Sequence, residues 1–399
     1  VNHNSKSEDR LKPDQNLSEV SDLNPKPIHV LHIIDKLSVE GSGIHGVTRV
    51  LENWISNFDR NKFVFTIISL RAPEKASKIF ERLNVPVHFL SRSKIDPRTI
   101  WDLLKISRRL NPDLLHLHGW GSTNFGRLLS FMTNTPNIVH EYAELVNQPI
   151  YQTVADWILS PLTDQALAVS RGVGDFMVSY RKINPKKLKV MHTGFPVDEF
   201  QIPDESEYLQ ERKVLGIQDD EKVVCKVGRL APLKGHTYLL QAAVHVLKQC
   251  PNTKFLIVGE GPEREKLEAE AKDLGISEKV IFTGFHRDVS ICLALSDIFA
   301  MVSLTEGMPI TIFEAMNLKK PIVAFPAGGI RDIIRDSENG YLVPFKDVKQ
   351  FSEKLIYLLD HPDFARKLGE KAWEDCQKYD ISFAVEELEK EYLELFSRK

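Results

Sequence analysis

The chain has little cysteine, almost no net charge and no long apolar run, and each shortage narrows what it can do. Four of its 399 residues are cysteine (Cys225, Cys250, Cys292 and Cys376), all in the second half, without a Cys-x-x-Cys pair or a nearby histidine at metal-ligand spacing. A disulfide scaffold and a cysteine-based zinc centre are therefore not expected, and the four read as small buried hydrophobes of a reducing compartment. The 52 Lys and Arg against 55 Asp and Glu leave a formal charge of −3, which argues against a general attraction to nucleic acid or anionic lipid. Any such affinity has to be local. No apolar run approaches the roughly 18 to 20 residues that cross a bilayer; the longest, Val64 to Leu70 and Asp297 to Leu304, read as buried strands. Residues 1–27 are polar and charged, with isolated leucines and no apolar core of a secretory signal, so they read as a disordered leader. A cytoplasmic location is the expectation.

What is present is alternation. From Ile28, short apolar runs (His29 to Ile34, Phe63 to Leu70, Asp113 to His118, Ala166 to Val169, Leu188 to Met191) alternate with amphipathic segments such as Val47 to Phe58, the pattern of parallel βαβ units. Residues 201–220 are polar and acidic with no strand signal, and read as a linker. The pattern then restarts with near-continuous apolar runs at 222–228, 254–259, 279–284, 297–303 and 321–325, as expected of a sheet covered on both faces. The fold class is therefore α/β: two tandem doubly wound, Rossmann-like domains, 28–200 and 221–381, facing a cleft. A last helix over 382–399 places Val385, Leu388, Tyr392, Leu395 and Phe396 on one stripe, which needs a surface to cover, and the first domain is a candidate. Open α/β sheets bind ligands beyond the carboxyl ends of their strands, so function is sought in those loops.

Gly41, Gly43 and Gly46 match G-x-G-x-x-G between a strand and a helix. In the dinucleotide fingerprint the first glycine follows the strand at once, whereas Asp35 to Glu40 intervene here, and the acidic residue for the ribose is missing because the second strand ends at Ser69-Leu70-Arg71. Arg71 could meet a 2′-phosphate, which keeps an NADP-dependent oxidoreductase as an alternative. The surviving argument is that glycines entering a helix let a phosphate approach its free amides.

The second half is richer. In Ser303 to Met316, Pro309 suits a helix start, Glu306 falls in the loop after a strand, and Glu314 falls on the helix. Such a helix start can hold a phosphate, and carboxylates on either side can accept sugar hydroxyls. Arg229 and Lys234, between a strand and the next helix, offer a forked donor and a mobile charge to a diphosphate.

These residues resemble the retaining glycosyltransferases of family four (group 1), which have the two-domain GT-B fold. The likeness runs through VGRLAPLKG at Val227, LIVGEGPE at Leu256, SLTEGMPITIFEAM at Ser303 and AGGIRDIIRDSENGYLV at Ala327, and through PDLLHLHG at Pro112 and VMHTGFPVDEF at Val190 in the first half. It covers nearly everything after residue 27. The resemblance implies that Arg229 and Lys234 bind the donor diphosphate beside Gly307, Met308 and Pro309, that Glu314 holds the ribose, and that Glu306 contacts the sugar. It implies that Gly46 admits a substrate and that His118 lies near the transferred sugar. Two departures stand out: Phe195-Pro196 are inserted between Thr193-Gly194 and Val197-Asp198, and Lys320 replaces a glycine.

With no Asp-x-Asp triplet to hold a divalent ion, metal-independent transfer is expected: no metal and no cofactor, the nucleoside-diphosphate sugar being a substrate. The expected product is a hexosyl residue placed, with retention, on a glycan, lipid-linked or small-molecule acceptor, as in polysaccharide or glycolipid biosynthesis. Partners are thus the nucleotide-sugar and the acceptor, not nucleic acid. A catalytically silent nucleotide-sugar-binding module is a further alternative. Arg71 to Arg109 holds ten basic against four acidic residues, a local excess of six, and is the place where a peripheral contact with an anionic membrane, at its inner face, would form.

Overall fold

The computed structural model describes residues 26–39, 43–44, 46–144, 148–286 and 288–398. The leader up to residue 25, and Gly41 of the glycine motif, lie outside the described residues. The first domain is a seven-stranded parallel sheet made of β1 (Ile28–Ile34), β4 (Phe63–Ser69), β5 (Val87–Phe89), β6 (Leu114–His118), β7 (Asn137–Glu141), β8 (Gln165–Ala168) and β9 (Leu188–Val190), in the order β5-β4-β1-β6-β7-β8-β9. β2 (Ser38–Val39) and β3 (Gly43–Ile44) form a small antiparallel ribbon before the helix Gly46–Asn57. The strand order reverses between β1 and β6, the kind of switch point where α/β sheets open a crevice.

Both faces of this sheet are buried, and successive residues serve opposite sides. Val30, Phe65 and Leu114 pack against the helix Gly46–Asn57 on one face; Leu31, Ile68 and Leu115 pack against the helices Thr99–Leu110, Trp120–Thr133 and Arg171–Ser179 on the other. β5 and β7 escape the apolar-run pattern because the first has three residues and the second, NIVHE, carries Asn137, His140 and Glu141. Asn137 is tolerated in the sheet because its side-chain amide donates to Leu162 O at 2.8 Å and Ser130 Oγ at 2.9 Å.

The second domain repeats the plan with β10 (Lys222–Val227), β11 (Thr253–Val258), β12 (Val280–Gly284), β13 (Ile298–Met301), β14 (Ile322–Ala324) and β15 (Tyr341–Leu342), ordered β12-β11-β10-β13-β14-β15 and all parallel. Three of the cysteines are buried in this half and Cys250 is half-buried; all four are free. Within the segment expected to be a plain linker, Glu205–Val214 is a helix, started by a capping box of Asp204 and Glu207, and it buries no side chain of its own.

The helix Ile381–Ser397 follows the second domain yet belongs to the first. Val385, Leu388, Tyr392 and Leu395 pack with Phe58, Phe63 and Phe65, and the Tyr392 hydroxyl lies 2.7 Å from His116 Nδ1. Phe396, counted on the same stripe, stays 40% exposed, because at this helix end the contact has narrowed to Leu395. The insertion at Phe195 takes part in the return: Phe195 N donates to Tyr379 O and Ile381 N to Phe195 O, at 2.8 and 2.9 Å. Leu388→Ala should therefore lower the unfolding free energy by about 2–5 kcal/mol, whereas Phe396→Ala should change it by less than about 0.5 kcal/mol; urea titrations of the two variants check this.

Candidate functional site

The carboxyl ends of the two sheets face a cavity of about 650 Å³. Gly46, Tyr142, Glu144 and Thr193 line it from the first domain; Gly228, Arg229, Lys234 and the stretch from Thr305 to Thr311 line it from the second. Arg229 follows β10 through Gly228, whose φ of +156° suits glycine. Among the described residues its guanidinium has no hydrogen bond or ion pair, so all its donors are free for a ligand. Lys234 ends a short 3-10 turn, Pro232–Lys234, closed by Gly235 at φ +67°; a Cβ there would stand 2.0 Å from Val302 O. This turn swings Lys234 to Glu306, and Nζ donates to Oε1 at 2.6 Å. The pair is mostly enclosed, with Glu306 10% exposed.

Pro309 immediately precedes the helix Ile310–Asn317, whose first residues, Ile310 and Thr311, line the cavity. Unbonded amides at a helix start attract anions, so this end faces the same space as Arg229 and Lys234. Glu314 lies one turn further in. Burial pushes its carboxyl up to about 7, against an opposing pull from Arg49, and its Oε2 has no hydrogen-bond partner among the described residues. A buried carboxylate left short of donors is costly and gains from a hydroxyl that reaches it.

Gly307 and Met308 serve a different task from the residues around them. A Cβ on Gly307 would stand 1.7 Å from Tyr142 O in the other domain, and Met308 packs against the cores of both domains. Gly329 N donates to Gly307 O at 2.7 Å, which fixes this loop from behind. Further bonds cross the cleft nearby: Arg171 N donates to Asp332 Oδ2 at 2.8 Å, and Thr305 Oγ1 to Glu144 O at 3.3 Å. At Gly46, by contrast, a Cβ would meet nothing within 4 Å among the described residues.

His118 is brought to the back wall and does not line the cavity. It is 1% exposed, with Nε2 2.9 Å from His32 Nδ1 and Nδ1 2.9 Å from the Tyr142 hydroxyl. Tyr142 is the side of this relay that faces the cavity. His116 and His140 extend it, with His116 Nε2 3.2 Å from His140 Nδ1. Burial holds His32 and His140 down to about 3 and His116 and His118 well below the usual range, so the cluster is neutral at physiological pH. Nitrogens of His32, His116 and His118 lie within 4.8 Å of one another, close enough to consider an ion. Most of these ring nitrogens are engaged with each other, Tyr142, Tyr392 and His140 in a hydrogen-bonded relay, while the buried His32 Nε2 has no hydrogen-bond partner among the described residues.

Sequence reasoning missed Tyr142, Glu144, Thr193 and Lys226. The first two follow β7 directly, and the rule about strand ends would have found them had that polar strand been recognised. Lys226 is fully buried in β10; burial pulls it down to about 8, and Nζ lies 3.2 Å from Val227 O and from Met301 Sδ. Lys320, where the motif departs from glycine, caps a turn by donating to Ala294 O and Ser296 O at 2.7 Å each.

Two facing Rossmann-like domains, with cationic groups and a helix start on one wall of the cleft, define a GT-B glycosyltransferase architecture. Family models bear this out along the chain: "Glycosyltransferase Family 4" matches residues 44–199 and "Glycosyl transferases group 1" matches residues 208–375. The chain belongs to this family of GT-B glycosyltransferases. A UDP-Gal:alpha-D-GlcNAc-diphosphoundecaprenol alpha-1,3-galactosyltransferase of Escherichia coli is 24% identical over 275 residues, 66% of this chain and 71% of that protein. Among solved structures, HepE of Anabaena in complex with UDP superimposes with a TM-score of 0.79 at 19% identity, covering 91% of this chain and 99% of HepE. A glycosyltransferase of Rickettsia africae superimposes at 0.81 and 18% identity, covering 94% and 100%.

Two outcomes test the site's construction. Because burial raises the Glu314 pKa from 4.5 to about 7, its contribution to stability is complete below the unfolded value and is lost as pH rises through the folded one. Glu314→Gln should thus be more stable than the parent by about 3 kcal/mol above neutrality, the gap closing in acid, as read by urea unfolding on both sides of the transition. Gly307→Ala should leave each domain folded but hold them apart, seen as a larger radius of gyration in small-angle scattering with unchanged circular dichroism.

Proposed function

We propose that the enzyme transfers a hexose-type sugar from a UDP- or GDP-sugar to a hydroxyl of a glycan, lipid-linked or small-molecule acceptor, with retention and without a metal ion. The observation that carries this reading is the convergence of free Arg229, the Lys234–Glu306 pair and the start of the helix Ile310–Asn317 on one cavity. HepE has been solved with UDP and with UDP-glucose, and a structural relative, WaaB, is a galactosyltransferase; both support a nucleotide-sugar donor.

Arg229 and Lys234 neutralise the departing diphosphate together with the helix amides, supplying the charge that a divalent ion provides elsewhere. Glu314 accepts the ribose hydroxyls through its unpaired oxygen. Glu306, oriented by Lys234, contacts the sugar, and Gly46 admits a substrate from the opposite wall. The acceptor hydroxyl attacks from the face that the diphosphate leaves, and a phosphate oxygen takes its proton. No side-chain nucleophile is then needed, unlike the double displacement of retaining glycosidases. His118 acts through Tyr142, which it orients from behind the wall.

The same residues weigh against a silent binding module, since each charged group at the cavity is retained. Arg71, the residue on which the NADP reading depends, is exposed just beyond the carboxyl end of β4 and does not line the cavity. A cytoplasmic enzyme with a peripheral membrane contact at the basic segment Arg71 to Arg109 completes the reading; among the described residues no helix is long and apolar enough to cross a membrane.

A thermal-shift panel of nucleotide sugars should single out one donor, a ligand at 100 times its dissociation constant adding about 2.7 kcal/mol. Hydrolysis of that donor should survive EDTA; loss restored by Mn²⁺ would sink the metal-free claim. Glu306→Gln, Arg229→Ala and Lys234→Ala should each reduce turnover by at least about a hundredfold while the fold is kept, and near-normal rates in all three would refute the donor-site assignment.

A further inference from the structure

The helix Ile150–Leu159 is built inside out. Its buried side chains are polar, Gln152 and Asp156, and its large apolar ones face outward: Ile150 is 83% exposed, Trp157 69% and Ile158 58%, with Tyr151 and Val154 completing the stripe. Their spacing at i, i+1, i+4, i+7 and i+8 makes one continuous face. An ordinary surface helix is attached by such a face. This one is attached by Asp156, which takes Arg181 Nη1 at 2.9 Å, Arg127 Nη1 at 3.3 Å and Trp120 Nε1 at 3.2 Å beneath the helix. The apolar stripe is therefore not spent on folding, and a soluble surface rarely carries so many adjacent large apolar groups without a use.

Lysines lie at both ends of the stripe, with Asp164 beside Lys187 at one of them. Asp156 is the helix's only charged residue and is buried and paired. At one end Tyr151 meets the Trp120 ring edge-on at 5.8 Å, and Lys94 packs against Gly121 beside it. At the other end Lys187 Nζ reaches Pro161 O at 3.4 Å, with Lys182 and Lys186 exposed close by in sequence. The helix Thr99–Leu110, with Trp101 66% exposed, lies on the same side of the sheet, separated from the stripe by Trp120–Thr133. Apolar residues with tryptophan and tyrosine, edged by lysine, suit the boundary between headgroups and acyl chains of an anionic bilayer. The cavity is close: the chain enters this helix six residues after Glu144, which lines it.

We propose that the outward face of Ile150–Leu159 docks the enzyme on an anionic lipid bilayer, with its aromatic rings at headgroup depth and the flanking lysines on lipid phosphates. The anchor is then this apolar helix, and the basic segment Arg71 to Arg109 flanks it. The proposal rests on the transferase reading only for its purpose, which is to bring the cleft to a lipid-linked acceptor.

Co-sedimentation of the whole chain with vesicles tests it. The protein should pellet with vesicles of phosphatidylcholine mixed with phosphatidylglycerol and much less with phosphatidylcholine alone. The double substitution Ile150→Glu, Trp157→Glu should cut the bound fraction by at least about tenfold, while melting temperature and nucleotide-sugar hydrolysis stay at parental values. Lys182→Glu with Lys186→Glu should weaken binding to the anionic vesicles alone. No pelleting with anionic vesicles, or equal pelleting by parent and apolar variant, overturns the proposal. So does a reversible dimer in sedimentation velocity that the same variant abolishes without any vesicle binding, which would give the face to a second copy. Nucleotide binding measured on the same samples separates the two readings: its loss condemns the transferase assignment, and vesicle failure with nucleotide binding intact condemns only the docking face.

Discussion

The placement of the two domains depends on one helix buried out of chain order. Ile381–Ser397 leaves the second domain and supplies one face of the first domain's core, where Tyr392 stacks on Phe58 and meets His116. The first sheet cannot cover that face with the helix Gly46–Asn57 alone, and a parallel sheet tolerates no bare side. The domains are thus joined twice, at the segment 191–221 and again at Tyr379 to Ile381, and the cleft can open only about those two crossings. A cleft so restrained keeps the diphosphate wall and the Tyr142 wall within reach of one ligand.

The site itself holds its groups against their own preferences. A carboxyl raised to about 7 at Glu314 and a lysine lowered to about 8 at Lys226 both cost stability, while the exposed Arg229 keeps its donors free at the cavity wall. Such costs persist where a ligand repays them. The neutral histidine relay behind Tyr142 is the opposite case: its ring-to-ring bonds are largely satisfied, and it stiffens the wall without adding charge. Among the described residues, the cations lining the cavity are therefore on the second-domain wall, where an anion would sit, and the first-domain wall contributes the carboxyl group of Glu144 and no cation.

The polar clamp under Ile150–Leu159 shows the same division between folding and use. Arg127, Asp156 and Arg181 form a buried network that fastens the helix by charge, which releases its apolar side. Periodicity alone cannot reveal this, because an amphipathic stripe looks the same whether it faces a core or solvent. The apolar stripe of Ile381–Ser397 faces inward and that of Ile150–Leu159 outward, and the deciding residues, Arg127 and Arg181, are distant in sequence from the helix they hold.

The sequence by itself determined the two-sheet plan, because near-continuous β-branched and apolar runs at β1, β4, β10, β11 and β13 can be satisfied only in parallel sheets covered on both sides. It also determined the cationic end of the cleft: Arg229, Lys234, Glu306 and Pro309 sit at strand and helix ends whose local turns are written in nearby glycines and proline. Only the tertiary structure decided that His118 lies behind Tyr142, that Gly307 meets the opposite domain's backbone, and that the half-buried Glu314 has its Oε2 enclosed without a partner among the described residues. Each of those depends on how closely two domains approach. That distance is set by packing between residues far apart in the chain, at Tyr392 and Phe58 above all, which no local pattern records.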